Sequence, residues 1–174
     1  MAAPENNYMI PESLTNEYVV VANRSAKLQY LINYLLQHCQ GAKVIIFLST
    51  CACVEYYAKL LSGLSYLRKF RVEGIHGKLK PKKRNKIITS FMQKNESSTK
   101  GRILLATDVV SRGIDFGDVE FIFQLDPPDD PDNFVHRIGR TARVNRKGYV
   151  HIVLTLGSAV SRRTRAELRE LPAE

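Results

Sequence analysis

Lys43-Val44-Ile45-Ile46-Phe47-Leu48-Ser49-Thr50 is an apolar run that stops abruptly in two hydroxyls. A strand with one wet face alternates polar and apolar residues. This run does not alternate, so it predicts a strand covered on both faces, as in a parallel sheet between two helix layers. The flanking segments extend the pattern. Residues 18–22 are a β-branched run, and beyond Asn23, a capping residue, Leu28, Leu31, Ile32, Leu35 and Leu36 recur at helical spacing. Downstream, residues 54–61 predict a helix, 70–75 a strand, and 81–92 a helix with Pro81 in the first turn, where its missing N–H is not needed. Residues 102–106, 121–125 and 149–156 predict further strands. Six or seven strands alternating with helices give an α/β fold of three layers with a mostly parallel sheet. Residues 15–160 are expected to form the domain. Residues 1–14, with Pro4 and Pro11, are expected to be a flexible linker or tail, and 161–174 a partial helix or tail.

Composition agrees with a single folded unit. The 174 residues are 44% hydrophobic and 25% charged, which excludes disordered, collagen-like and disulfide-scaffold classes. Lys+Arg 26 against Asp+Glu 17 gives a net charge of +9, a balance that favours a polyanionic partner. No apolar run approaches the roughly 18 residues of a membrane helix, so no membrane partner is expected. The start lacks a secretory profile and three cysteines cannot all pair, which points to a reducing compartment, cytosol or nucleus.

Ligands of parallel sheets gather at the carboxyl ends of strands. There the sequence offers Ser49-Thr50, His76-Gly77-Lys78, Thr107-Asp108 and Asp126. Hydroxyls, an approachable glycine and helix N-termini suit phosphate oxygens. The competing reading is that these residues simply cap helices. A second candidate is His136-Arg137-Ile138-Gly139-Arg140-Thr141-Ala142-Arg143. On one continuous helix, residues 136, 140 and 143 lie within about 60° of one another, so an imidazole and two guanidinium groups converge and need an anion between them. Gly139 weakens a helix by roughly 1 kcal/mol relative to Ala, so a helix end is the alternative, as is a solvated basic face. Arg occurs here three times and Lys never, which favours phosphate, since guanidinium is a fixed fork of donors.

Lys78, Lys80, Lys82, Lys83, Arg84 and Lys86 form a second basic cluster. It reads as nucleic-acid backbone contacts, a nuclear import signal or a solvated helix face. No aromatic residue interleaves it, so base stacking is not suggested. Cys39, Cys51 and Cys53 lack the spacing of a closed zinc site, and no residue set suggests a hydrolytic triad. A G-x-x-x-x-G-K-[ST] phosphate loop is absent, so a nucleotide site here is expected to be half a site.

Residues 107–115, Thr-Asp-Val-Val-Ser-Arg-Gly-Ile-Asp, followed by 136–143, resemble motifs V and VI of the DEAD-box RNA helicases. Residues 44–50 resemble motif IV, and Ile75-His76-Gly77 through Arg84 the segment around the family's Q-x-x-R motif. The resemblance covers nearly the whole chain. It implies the second, RecA-like domain of such an enzyme, clamping ATP and single-stranded or duplex RNA against an N-terminal RecA-like domain that carries the phosphate loop and the D-E-A-D sequence and holds most of the Mg. By resemblance, Arg140 and Arg143 match arginine fingers, His136 the histidine that couples to the first domain, and Asp115 the acid at the ATP ribose, with Gly113 beside it. Thr50, Ser49, Gly77, Lys78, Arg84, Thr107 and Arg112 match positions near the RNA backbone. Two departures stand out. Pro81 replaces the glutamine of Q-x-x-R, and Ala142 replaces the commoner glycine of motif VI.

His76 to Lys80, Leu125 to Pro128 and Gly139 to Arg143 are similar to nucleolar ribosome-assembly members. That similarity implies a pre-ribosomal particle as partner and a nucleolar location, with the cytoplasm as alternative. A monomer that does not turn over ATP by itself is expected. The rival readings are a non-enzymatic RNA-binding module that kept the fold, half of a DNA translocase, and, more remotely, a phosphoacceptor receiver domain.

Overall fold

The computed structural model describes residues 13–93, 100–110, 116, 119–128, 130–141 and 147–156. In chain order these form β1 (Leu14–Val21), α1 (Arg24–His38), β2 (Lys43–Phe47), α2 (Cys51–Gly63), β3 (Phe70–Ile75), α3 (Pro81–Met92), β4 (Gly101–Ala106), β5 (Phe121–Gln124), α4 (Pro131–Ile138) and β6 (Gly148–Thr155), with single 3₁₀ turns at Ser65–Leu67 and Asp108–Val110. The strands make one six-stranded sheet in the order β1-β6-β5-β2-β4-β3. Every pairing is parallel.

The unbroken run of β2 lies at the centre of this sheet, and its side chains alternate between two separate cores. Val44, Ile46 and Leu48 pack with Leu31 and Leu35 of α1 and Val54 and Leu61 of α2. Ile45 and Phe47 pack with Ile87 and Phe91 of α3 and Phe134 and Ile138 of α4. The layers are therefore α1 and α2, the sheet, then α3 and α4, as the sequence predicts. A polar residue anywhere from Val44 to Phe47 would be buried on one face or the other, as Lys43 at the start of the strand is, its ammonium donating to the Met92 carbonyl at 3.2 Å.

Helix starts follow local chemistry. Asn23 accepts the Ala26 amide at 2.9 Å, Thr50 the Cys53 amide at 3.1 Å and Asp130 the Asp132 amide at 3.1 Å. Pro81 opens α3 at its first turn without a side-chain cap. Asp130 as cap and Pro131 at the first position start α4. Between β3 and β4 the close approach requires glycine, because a Cβ on Gly101 would lie 2.6 Å from the Phe70 ring.

One buried polar side chain sets a pH dependence. His151 on β6 is fully buried, with its ring stacked on Phe123 at 5.0 Å and 4.2 Å from the Tyr34 ring. Its Nδ1 lies 3.3 Å from Glu17 Oε2 and 3.3 Å from the Tyr30 hydroxyl, while Nε2 is buried without a partner. Burial, and then the charge of nearby His38, push its pKa down to about 4. A second proton on Nε2 would have no acceptor. The unfolded chain takes up this proton near pH 6.5 and the folded chain only near 4, so the contribution is fully present above pH 6.5 and is lost as pH falls toward 4. Denaturant unfolding between pH 7 and pH 4 is expected to show about 3 kcal/mol of destabilisation from this group. A His151→Gln variant should lack that part of the slope.

Candidate functional site at the strand ends

Because all six strands run parallel, their carboxyl ends lie on one side of the sheet, and the order β5-β2-β4-β3 makes four of the polar turns neighbours. The turns after β2 and β5 are tied together: Ser49 donates both its backbone N–H and its hydroxyl to Asp126 Oδ2, each at 3.0 Å. Lys27 of α1 reaches beneath them, its Nζ donating to the Leu125 carbonyl at 2.5 Å. Burial pushes the pKa of this ammonium down, opposed by the Asp126 carboxylate and reinforced by Arg24. Thr50 caps α2, so the capping reading holds for it. Its hydroxyl accepts that bond through oxygen and keeps its own proton to donate.

Thr107, half-buried, follows β4, and its amide donates to the Ile75 carbonyl at 3.4 Å. Gly77 and Lys78 are exposed in the turn after β3, and a Cβ on Gly77 would meet no atom within 4 Å. Protein packing does not require glycine at that point. Arg84 lies in the first turns of α3, half-exposed. Ser49, Thr50, Gly77, Lys78, Arg84 and Thr107 thus share one rim. Arg112, Gly113, Asp115 and Arg143 lie outside the described residues.

At the end of α4 the structure departs from the continuous-helix expectation. The helix stops at Ile138 with Gly139 as its cap, and the Arg140 and Thr141 amides close turns onto the carbonyls of Arg137 and Ile138. Thr141 is buried, its hydroxyl donating to the Val119 carbonyl at 2.6 Å, which pulls the chain off the helix axis. Residues 136–141 are therefore a helix end and a turn, the alternative that Gly139 offered. His136 Nδ1 lies 2.6 Å from the Asp132 carbonyl, and Arg140 Nε donates to the His136 carbonyl at 3.1 Å. The bonds keep both side chains at the helix end, and each is half-exposed.

Arg137 behaves differently from its neighbours. Its side chain is 1% exposed, against 39% for its partner Asp108. Nε and Nη2 donate to the two carboxylate oxygens of Asp108 at 2.6 and 3.0 Å, and Nη1 donates to the Asp126 carbonyl at 2.7 Å and to Gln124 Oε1 at 3.4 Å. The guanidinium lies 4.9 Å from the centre of the Phe47 ring. One of the three arginines read as suited to an anion is thus consumed inside the fold. Helical spacing carried the signal, since Arg137 falls on the same stripe as the buried Phe134 and Ile138.

A family description, helicase conserved C-terminal domain, matches residues 26–145. The chain is 42% identical to the ATP-dependent RNA helicase DDX55 of Gallus gallus over 152 residues, 87% of this chain and 24% of that protein. It is 40% identical to the ATP-dependent rRNA helicase SPB4 of Cryptococcus neoformans var. neoformans serotype D over 151 residues, 84% of this chain and 20% of that one. It therefore spans about a fifth to a quarter of the length of the curated relatives it matches. Among solved structures, it is similar to S. cerevisiae Dbp5 bound to RNA and ADP BeF3, with a TM-score of 0.74, 26% identity, and coverage of 94% of this chain and 42% of that one.

The Arg137–Asp108 pair is asymmetric. Removing the carboxylate leaves a cation that water cannot reach, whereas removing the guanidinium leaves a half-exposed carboxylate that water can solvate. Asp108→Ala is expected to cost about 3 kcal/mol in urea unfolding. Arg137→Met, which keeps the apolar length over Phe47, is expected to cost less.

Proposed function

The chain belongs to the helicase conserved C-terminal domain family, in its DEAD-box branch, and on that premise we propose that it is the half of an ATP-dependent RNA helicase that grips RNA along the strand-end rim and lends arginines to ATP held mainly by an N-terminal domain. The observation that carries the reading is the rim itself. The Thr50 hydroxyl, with Ser49 bonded to Asp126 beside it, the open turn at Gly77-Lys78, the Arg84 guanidinium and Thr107 follow three adjacent parallel strands. Donors and cations in such a row suit phosphate and 2′-OH groups and carry little base preference.

The proposed nucleotide residues include His136 and Arg140 at the end of α4. Arg140, held at the His136 carbonyl, fits the role of a cation facing a phosphate from across a domain boundary. Arg143, Asp115 and Gly113 complete the proposed set, with His136 coupling to the first domain. ATP supplies the hydrolysis that resets such a cycle. The residues of this chain would neutralise charge on the transferred phosphoryl group and hold the RNA strand while it is released. Mg fits the partner domain, and the chain alone is proposed to be inactive and monomeric. The relatives named as rRNA helicases support ribosome biogenesis, with a pre-ribosomal particle as partner and the nucleolus as location.

The test is ATP turnover of this chain mixed with a matching N-terminal domain, with and without single-stranded RNA. RNA-stimulated turnover is expected to fall by about 10³ to 10⁵ in Arg140→Ala and in Arg143→Ala, the range known for arginine fingers in other NTPases. Turnover absent from every combination while RNA still binds would make the chain an RNA-binding module outside the helicase cycle.

A further inference from the structure

A groove of about 750 Å³ runs along the outer edge of β3, between α2 and the start of α3. Its floor is apolar, formed by Ala52, Val54, Ala58, Gly74 and Leu79. Tyr56 stands on its wall with 63% of its surface exposed, met edge-on by Tyr57 at 5.5 Å and 88°. Lys59 of α2 and Lys83 of α3 line it from opposite sides, and among the described residues neither has an acidic partner. The acid in the lining is Glu55, whose Oε1 lies 3.2 Å from Nε2 of the buried His76.

We propose that this groove is a second RNA subsite, in which an unpaired base lies against the Tyr56 ring while Lys59 and Lys83 take the flanking phosphates. The proposal rests on the strand-end rim being an RNA track, because the rim passes through Gly77 and Lys78, which sit in sequence between the groove residues His76 and Leu79. A strand leaving the rim over this turn enters the groove. The chemistry matches single-stranded nucleic acid in both respects: cations spaced across a channel follow a backbone, and an exposed aromatic face accepts any base. An acidic peptide would satisfy the lysines and leave Tyr56 without a flat partner. The sequence showed lysines on α3 without an aromatic residue among them; the fold delivers one from α2.

Fluorescence anisotropy of the full chain with labelled oligouridylates of about six and about twelve nucleotides tests this, the shorter spanning the rim alone. Tyr56→Ala is expected to weaken the longer strand by roughly five- to a hundredfold and to leave the shorter one unchanged, while Tyr56→Phe binds like wild type. An abasic strand of the longer length should lose the same factor in wild type and be indifferent to Tyr56→Ala. Lys59→Ala and Lys83→Ala should each lower the salt slope for the longer strand by about 0.7. If Arg84→Ala weakens both lengths while Tyr56→Ala binds both like wild type, the rim stands and the groove proposal falls. If neither variant changes binding at either length, the rim reading falls with it. Saturable binding of an oligoglutamate peptide that Tyr56→Ala abolishes, with RNA affinity unchanged, overturns the proposal in favour of an acidic protein partner.

Discussion

Burying both faces of a parallel sheet is the constraint on which the other features of this molecule depend. Parallel neighbours cannot be joined by a tight turn, so each connection crosses the sheet, and each crossing helix covers one face. With α1 and α2 on one side and α3 and α4 on the other, every β2 side chain from Val44 to Phe47 enters a core. The same directionality sends the ends of β2, β3, β4 and β5 to one side, where the chain must turn. Those turns cannot be apolar, because their backbone groups need partners that the sheet no longer supplies. The site is therefore a consequence of the topology: hydroxyls, a glycine and acids collect where four strands stop.

Turns on such a rim would be loose if nothing joined them, and two buried cations do the joining. Lys27 comes up from the α1 face to the Leu125 carbonyl, and Arg137 from the α4 face to Asp108, Asp126 and Gln124. Asp126 is common to both: its carbonyl serves Arg137, its carboxylate holds Ser49, and it opposes the desolvation of Lys27. A positive charge buried on each face is costly unless its acceptors are fixed in place, so the acceptors and the turns that carry them are fixed as well.

How far the sequence could be read follows from which signals are local. Phe70–Ile75 and Pro81–Met92 match the expected bounds, the start of the second because Pro81 suits a first helical turn. Residues 18–22 underestimated β1, which starts at Leu14 and pairs with β6 from Gly148 onward; that pairing is invisible to any window of sequence. The strand order was unreadable for the same reason. On the rim, residue types and positions were legible because a strand end is a local event. Arg137 was missed because its neighbours suggested a solvent-facing or anion-facing role. The aromatic wall beside the lysines was missed because Tyr56 and Lys83 belong to different helices that only the β3 edge brings together.

The Arg137–Asp108 pair also joins the strand-end rim to the end of α4. Asp108 follows Thr107 on the rim, and Arg137 lies between His136 and Arg140 at the other proposed site. Lengthening the pair would leave a guanidinium at 1% exposure facing low-dielectric surroundings, where an unpaired charge is far more costly than at the surface. Stretching is therefore resisted, so Arg137 ties the turns after β4 and β5 to the end of α4.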